Sequence, residues 1–258
     1  MEKIEIFKVS ADKEEKVSDL VTEEVPVTVY VNGEELATLL ASPSDLKELA
    51  VGFLFTSGMI KDFSQIKKIT VDTQAWCVYV ELLDKQVDLK LMFKRMYTSG
   101  CGRGTLFYHA VDVMHRKKQR KGINIQRDHI FNLMRDFQTR SNEFKETGGV
   151  HSAALAEGEN ILVVREDIGR HNALDKIIGY SLIKGIEFDD KIVLTSGRVS
   201  SEVLLKVQKT KISVIISRSA PTNQAVKHAR DSGITLIGFA RGKKMNIYSQ
   251  KERIGYNA

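Results

Sequence analysis

The stretch from Thr147 to Lys176 reads TGGVHSAALAEGENILVVREDIGRHNALDK. Within it, the apolar and largely β-branched run from Ile161 to Val164 predicts a buried strand. The eleven residues from Glu166 to Lys176 follow, and six of them are ionisable side chains of both signs. Proteins of the α/β class place ligand groups where a buried strand ends and a helix begins, so this run predicts a ligand site. A salt-bridged helix start is the alternative.

The second half of the chain has a regular pattern that predicts its fold. Apolar runs predict strands at 161–165, 191–196, 212–217 and 234–239. Helical periodicity lies between and before them, at about 127–144, 170–184, 199–209 and 221–232. This alternation predicts an α/β fold in which a mostly parallel sheet carries helices on its faces.

The first half predicts a smaller α+β domain. Its strand at 27–31 is followed by Asn32-Gly33, a strong hairpin signal. A helix is expected from the N-cap residue Ser42 to the stop at Gly58. Further strands are expected at 66–71, 75–83 and around 89–93. We therefore divide the chain into residues 1–122, which end in a glycine-rich loop and a basic connector, and residues 123–258.

Composition limits the classes of function. The chain has 258 residues, a formal net charge of +6 and two cysteines, too few for a disulfide framework. Part of the positive charge lies in the run at 115–121, which lacks the interleaved aromatic residues of a base-stacking surface, so no nucleic-acid partner is expected. Without an apolar run of about 18 residues or a secretory leader, the chain is expected to be cytoplasmic and to have no membrane partner.

Cys101 is the candidate nucleophile. It lies in SGCGRG at 99–104, where glycines leave the thiol accessible and Arg103 favours the thiolate. Cys77 lies in an apolar strand pattern, AWCVYV at 75–80, and is interpreted as a packing residue.

Three polar loops that follow predicted strands form the candidate anion site. They are TSGRVSSE at 195–202, SRSAPT at 217–222 and FARGKK at 239–244. Free backbone N–H groups and basic side chains at such loops suit a phosphorylated ligand such as a nucleotide. Hydroxyls such as Ser200 could instead only cap a helix. The candidate binding residues are Ser196, Gly197, Arg198, Ser200, Phe239, Ala240, Arg241, Gly242, Lys243 and Lys244.

Several well-defined sites are absent from the sequence. It contains no GxxxxGK[ST] and no GxGxxG phosphate loop, no HExxH, no CxxC and no GxSxG. The HxE and PCxxC ligands of the zinc deaminases are also missing, so no zinc is expected. His151 and His171 remain as polar candidates that could orient a ligand or only satisfy local hydrogen bonds.

These motifs together resemble the FdhD/NarQ family of formate dehydrogenase accessory proteins. The resemblance covers nearly the whole chain and is carried by SPSDLKELAVGFLFTSGMI at 42–60, SGCGRG at 99–104, TGGVHSAAL at 147–155, EDIGRHNALDKIIG at 166–179, TSGRVSSE at 195–202, SAPTNQAV at 219–226 and LIGFARGKKMNIY at 236–248. It implies that the second half is similar in fold to cytidine deaminases, without their zinc ligands. It also implies a homodimer.

The resemblance implies a sulfur carrier of the sulfurtransferase type. Such proteins take persulfide sulfur from a cysteine desulfurase and pass it to the molybdenum cofactor, in its bis-molybdopterin guanine dinucleotide form, for the formate dehydrogenase catalytic subunit. The carrier cysteine corresponds to Cys101 and the cofactor-binding segment to 239–244. We expect a GDP-like nucleotide to bind there, with Arg170, His171 and Asp175 shaping the floor of the site. Many members have a second cysteine where this chain has Gly104, so a cofactor chaperone without sulfur transfer is the alternative, and a degenerate deaminase, which would need a metal, is a third.

Overall fold

The computed structural model describes residues 1–84, 95–97, 105–107 and 122–255. The predicted strand around 89–93, the glycine-rich loop with Cys101 and the basic run at 115–121 lie outside these ranges. Strands β7 (Arg95–Tyr97) and β8 (Thr105–Phe107) pair antiparallel with each other.

The second half is built on a six-stranded sheet in the order β11-β10-β12-β13-β14-β15. Its strands are β10 (His151–Glu157), β11 (Asn160–Asp167), β12 (Lys191–Thr195), β13 (Val214–Ser217), β14 (Thr235–Arg241) and β15 (Lys244–Ile247). β12, β13 and β14 run parallel, whereas β10 is antiparallel to both of its neighbours and β15 is antiparallel to β14. The expectation of a mostly parallel sheet is therefore wrong, because tight hairpins at 158–159 and 242–243 add antiparallel strands that the sequence pattern did not reveal.

Helices cover both faces of this sheet, which confirms the α/β class. They are α2 (Arg127–Arg140), the short α3 (Asn142–Thr147), α4 (Arg170–Lys184), α5 (Ser201–Thr210) and α6 (Asn223–Ser232). Apolar side chains of α4, α5 and α6 pack on one face, and those of α2 pack on the other. The single helix expected at about 127–144 is interrupted at Ser141, whose hydroxyl donates to the Phe137 carbonyl at 3.0 Å.

The first half contains a four-stranded sheet in the order β4-β3-β6-β5, with one face covered by helix α1 (Leu46–Ser57). The strands are β3 (Val25–Val31), β4 (Glu34–Ala41), β5 (Ile66–Asp72) and β6 (Cys77–Leu82). The predicted hairpin is confirmed: Asn32 and Gly33 both have positive φ, 51° and 89°. Two further strands, β1 (Glu2–Val9) and β2 (Glu14–Val21), form a separate ribbon that precedes this sheet.

Helix α1 begins later than predicted. Ser42 does not cap it, because its amide donates to Asp167 Oδ2 at 3.1 Å and its hydroxyl accepts from the Ile168 amide at 3.2 Å. The predicted end is confirmed, since Gly58 adopts φ of 85° directly after the helix.

Helices α1 and α4 join the two halves of the chain by direct backbone contact. A Cβ atom added at Gly52 would lie 1.8 Å from the Asp175 carbonyl oxygen, and one at Gly179 would lie 1.9 Å from that of Glu48. Only glycine permits so close an approach. The remaining short strands, β9 (Ile125–Gln126) and β16 (Ile254–Gly255), pair parallel with each other. Within the described ranges, no helix is long and apolar enough to cross a membrane.

Candidate functional site

Part of the mixed-charge run is structural rather than ligand-binding. Asp167 and Lys176 have fully buried side chains and form an ion pair of 2.7 Å. The Asp167 carboxylate also accepts from the amides of Ser42 and Gly169 at 3.1 and 2.8 Å. Glu166 accepts from the amides of Glu143 and Phe144, at the start of α3. For Asp167 and Lys176 the salt-bridged helix start is the correct interpretation.

Asp175 does not shape the floor of a ligand site, which corrects that expectation. Its side chain is buried, and both carboxylate oxygens are occupied: Oδ1 accepts from the Thr56 hydroxyl at 2.8 Å and Oδ2 from Lys206 Nζ at 2.5 Å. Burial raises the pKa of Asp175, and the Lys206 ammonium and the Thr56 hydroxyl oppose that effect. Asp175 instead holds Lys206 in place.

Arg170 and His171, at the start of α4, lie against the first predicted loop, as does His151 from β10. A Cβ atom added at Gly197 would lie 3.0 Å from Arg170 Cβ and 3.4 Å from His151 Nδ1. Glycine at this position therefore lets the loop at 195–202 approach Arg170 and His151 more closely than a larger residue would without a shift of these side chains. Burial, followed by the Arg170 charge, lowers the pKa of His151, which favours its neutral form.

His171 is a neutral imidazole that faces an acidic neighbour. Burial, followed by the Lys206 and Arg170 charges, lowers its pKa from 6.5 to about 3. Its Nε2 lies 3.3 Å from Glu202 Oε2. That Nε2 is buried and, among the described residues, has no hydrogen-bond partner of acceptable geometry. An orphaned ring nitrogen is a group that a ligand could satisfy.

The first and second predicted loops are tied together at the ends of β12 and β13. The Ser217 hydroxyl donates to the Gly197 carbonyl at 2.7 Å, and the Arg218 amide donates to the Thr195 carbonyl at 3.1 Å. The Ser196 hydroxyl accepts from the Ser152 amide at 2.9 Å, which fixes the loop to β10. Ser200 caps α5, accepting from the Val203 amide at 3.4 Å, so the capping alternative is correct for that hydroxyl. Arg198 is exposed.

The segment at 239–244 was predicted to be a loop that follows a strand, and this prediction is wrong. The segment contains the end of β14, a hairpin turn and the first residue of β15. Ala240 is fully buried in the core and does not face a ligand. Gly242 takes φ of 56° at the turn, beside the exposed side chains of Lys243 and Lys244. Phe239 has φ of 52° at the bulge that interrupts the β14–β15 pairing, and 42% of its side chain is exposed. A left-handed, exposed phenylalanine is strained and is a feature typical of functional sites.

Two arginines bring the second and third segments together. The Phe239 amide donates to the Ser219 carbonyl at 3.1 Å, and Arg241 Nε donates to the Arg218 carbonyl at 3.0 Å. Burial, followed by the Arg241 charge, lowers the pKa of Arg218. Within the described part of the chain neither arginine has a carboxylate at ion-pair distance, and the buried Nε of Arg218 lacks a hydrogen-bond partner. Two adjacent unneutralised guanidinium groups favour an anion.

Arg218 was not among the sequence-derived candidates, although its loop was. The sequence could have indicated Arg218 as a site residue, because it follows directly after the apolar run VIIS at 214–217, a strand that is buried throughout. The structure thus places His151 and Arg170 beside Gly197 and His171 beside Glu202. Arg218 and Arg241 lie together with exposed Phe239 where the second and third segments meet. Among the described residues no group of three or more His, Cys, Asp or Glu side chains could hold a metal ion.

The low pKa of His171 predicts a dependence of stability on pH. Between about pH 6.5 and about pH 3 the unfolded chain binds a proton at this position and the folded chain does not. The free energy of unfolding contributed by His171 is therefore fully present above pH 6.5 and falls as the pH is lowered, by at most about 1.4 kcal/mol per pH unit. Urea unfolding at a series of pH values measures it.

His171→Asn is expected to reduce this pH dependence, because it removes the buried imidazole whose pKa is lowered. An identical pH dependence in the wild-type chain and in His171→Asn would contradict the buried neutral imidazole.

Known proteins resemble this chain over nearly its whole length. The FdhD/NarQ family matches residues 22–255. A protein of Bacillus licheniformis named Sulfur carrier protein FdhD is 45% identical over 240 residues, which cover 93% of this chain and 91% of the relative. The protein of the same name from Bacillus subtilis is 44% identical over 93% of this chain and 92% of its own length.

A solved structure agrees with these matches. The crystal structure of a candidate formate dehydrogenase accessory protein from Desulfotalea psychrophila superposes with a TM-score of 0.78 at 26% identity, covering 98% of each chain. From the match over residues 22–255, the identities above and this shared fold, we conclude that the chain belongs to the FdhD/NarQ family.

Proposed function

We propose that this chain is a sulfur carrier that takes persulfide sulfur from a cysteine desulfurase and delivers it to the guanine-dinucleotide form of the molybdenum cofactor, for use by the formate dehydrogenase catalytic subunit. The names of the relatives support the carrier role and the link to formate dehydrogenase. The cofactor-binding part is carried by one observation, the unneutralised Arg218–Arg241 pair beside Phe239. We also expect a cytidine deaminase-like second half, a homodimer and a cytoplasmic location.

Cys101 is the proposed sulfur acceptor. Its thiolate attacks the outer sulfur of the donor's persulfide, a new S–S bond forms on Cys101, and the donor's S–S bond breaks to release the donor cysteine as a thiolate. Sulfur and electrons balance, so the step needs no external oxidant. Cys77 is unsuited to this role because it lies in β6, where its thiol donates to the Ala75 carbonyl at 3.3 Å.

The described residues suit the phosphates and the base of a guanine nucleotide. Arg218 and Arg241 would bind phosphate oxygens, and the orphaned Nε of Arg218 supplies a donor that needs an acceptor. The exposed ring of Phe239 would stack on the base. Arg170 and neutral His171 would complete the wall beside Gly197. The cofactor is cargo in this proposal: it supplies the metal chemistry of the dehydrogenase, while this chain binds and orients it.

A second candidate function is a cofactor chaperone that transfers no sulfur. The resemblance implies a second cysteine at this position of the loop in many family members, and this chain has Gly104 there, which favours the chaperone. Both functions need the nucleotide site, and they differ only at Cys101.

Arg218→Gln is expected to weaken the binding of GDP by about tenfold to a hundredfold, because a charge-assisted contact to phosphate is lost. Isothermal titration calorimetry of the full chain measures this. Arg135→Gln is the matched control, since Arg135 is an exposed arginine of α2 that belongs to none of the predicted site segments.

Equal GDP affinity in the wild-type chain and in Arg218→Gln would contradict the assignment of Arg218. A wild-type chain that does not bind GDP at all would contradict the nucleotide site itself.

A further inference from the structure

Glu202, in the first turn of α5, has a largely buried carboxylate without a cationic partner. Its side chain is 13% exposed. Within the described part of the chain, no lysine or arginine lies at ion-pair distance from it. Lys206, one turn further along α5, donates instead to Asp175 and to Thr56, at 2.5 and 3.0 Å. A carboxylate that is largely removed from water is costly unless another group compensates it.

The group that faces Glu202 is the imidazole of His171, whose Nε2 lies 3.3 Å from Glu202 Oε2. His171 and Asp175 are one turn apart on α4, and Glu202 and Lys206 are one turn apart on α5. The His171–Glu202 contact and the Asp175–Lys206 ion pair are therefore two successive rungs between the same helices. The second rung is nearly buried, so it fixes the two helices relative to each other and holds the first rung in place.

This contact decides which ring nitrogen of His171 carries the proton. The imidazole is neutral, because burial and the charges of Lys206, Arg170 and His151 lower its pKa to about 3. A neutral imidazole has one N–H group and one bare nitrogen. A bare Nε2 would meet the carboxylate oxygen of Glu202 with two lone pairs face to face, whereas an Nε2–H group is attracted to that oxygen. Glu202 therefore favours the tautomer that carries its proton on Nε2 and leaves Nδ1 bare.

The contact is close but not aligned. His171 Nε2 is buried and has no hydrogen-bond partner of acceptable geometry among the described residues. Its distance of 3.3 Å to Glu202 Oε2 is near the hydrogen-bond range, so the contact lacks mainly alignment. Hydrogen bonds of functional sites are often long or poorly aligned without ligand and tighten when the ligand binds.

We propose that Glu202 is a positioning residue that holds His171 in the Nε2–H tautomer, so that Nδ1 accepts a hydrogen bond from an N–H group of the guanine base. Guanine offers such donors in its ring N–H and its amino group, whereas phosphate oxygens only accept and suit the arginines. This inference rests on the proposed function, which supplies the guanine nucleotide. It goes further by assigning Glu202 and by separating recognition of the base from binding of the phosphates.

The tautomer is tested by two-bond ¹H–¹⁵N correlation spectra of the histidine rings at neutral pH, with the His171 signals identified by their loss in His171→Asn. The wild-type chain is expected to show the Nε2–H tautomer. Glu202→Gln is nearly isosteric, and its amide can donate to a bare Nε2, so it is expected to lose this preference. Glu187→Gln, at an exposed glutamate that follows α4, is the matched control and is expected to keep it. A wild-type His171 in the Nδ1–H form would overturn the proposal without reference to any variant.

Binding is tested by isothermal titration calorimetry with two probes, GDP and inorganic pyrophosphate, which has the phosphates without the base. Glu202→Gln is expected to weaken GDP binding about tenfold, as one hydrogen bond to the base is lost, and to leave pyrophosphate binding unchanged. Arg218→Gln is expected to weaken the binding of both probes, because it removes a phosphate contact.

The outcomes separate this inference from the proposed function. Glu202→Gln that binds GDP as tightly as the wild-type chain, or that loses GDP and pyrophosphate equally, would overturn the role of Glu202 and leave the nucleotide site intact. A wild-type chain that binds neither probe would contradict the proposed nucleotide site, and the inference would fall with it.

Discussion

Lys176→Met is expected to lower the free energy of unfolding by about 3–5 kcal/mol, since removing one partner of a buried ion pair leaves the other charge uncompensated. Asp167 and Lys176 are fully buried and their charged atoms are 2.7 Å apart. Lys176 Nζ also donates to the Glu166 carbonyl at 3.1 Å, and that contact is lost as well. Asp167 additionally holds the Ser42 amide from the first half of the chain, so the loss weakens the junction between the halves. Urea unfolding at neutral pH measures the change.

The double variant Asp167→Asn/Lys176→Met separates the uncompensated charge from the loss of packing. Because it removes both charges and keeps similar volumes, it is expected to recover part of the stability lost in Lys176→Met. Lys184→Met, at an exposed lysine of the same helix, is the matched control and is expected to change stability by less than about 0.5 kcal/mol. If Lys176→Met has the same free energy of unfolding as Lys184→Met, the Asp167–Lys176 ion pair does not stabilise the junction between the two halves of the chain.

Cys101→Ala is expected to reduce the activation of formate dehydrogenase to the level seen without this protein, because the only proposed nucleophile is removed. Activity of the dehydrogenase matured in cells that lack the wild-type gene measures it. Binding of GDP is expected to be retained, since the arginines and Phe239 are unchanged.

Cys77→Ala is the control for this substitution, and full activation is expected with it. Full activation by Cys101→Ala together with retained GDP binding would favour the cofactor chaperone. Loss of both activation and GDP binding in Cys101→Ala would indicate that the loop is structural.

Local sequence signals predicted those elements whose determinants are local. Helix α4 has the predicted bounds of 170–184, because an apolar periodic face ends at Gly185, which takes φ of 65°. The hairpin at Asn32-Gly33 was predicted for the same kind of reason. Strand β10 was missed because its sequence, HSAALAE, is rich in alanine and serine, which have low strand propensity, although five of its residues are buried between two neighbouring strands.

The roles of the charged residues depended on contacts between distant parts of the chain. Contacts with residues more than 100 positions away decide which members of the mixed-charge run are buried. They come from helix α1, through Thr56 and the close approach at Gly52, and from Ser42, which precedes that helix. The pairing of Arg218 with Arg241 depends on a bulge at Phe239 that no local pattern indicated. The predicted site segments do meet, but Asp175 and Ala240 belong to the interior.

The most direct test of sulfur transfer is a mass measurement. The protein is incubated with a cysteine desulfurase, cysteine and pyridoxal phosphate, and its intact mass is taken without reductant before the modified peptide is mapped. An increase of about 32 Da, one sulfur atom, on Cys101 and not on Cys77 is the predicted result. An unmodified Cys101, with the desulfurase shown to be active on another acceptor, would contradict the sulfur-carrier account.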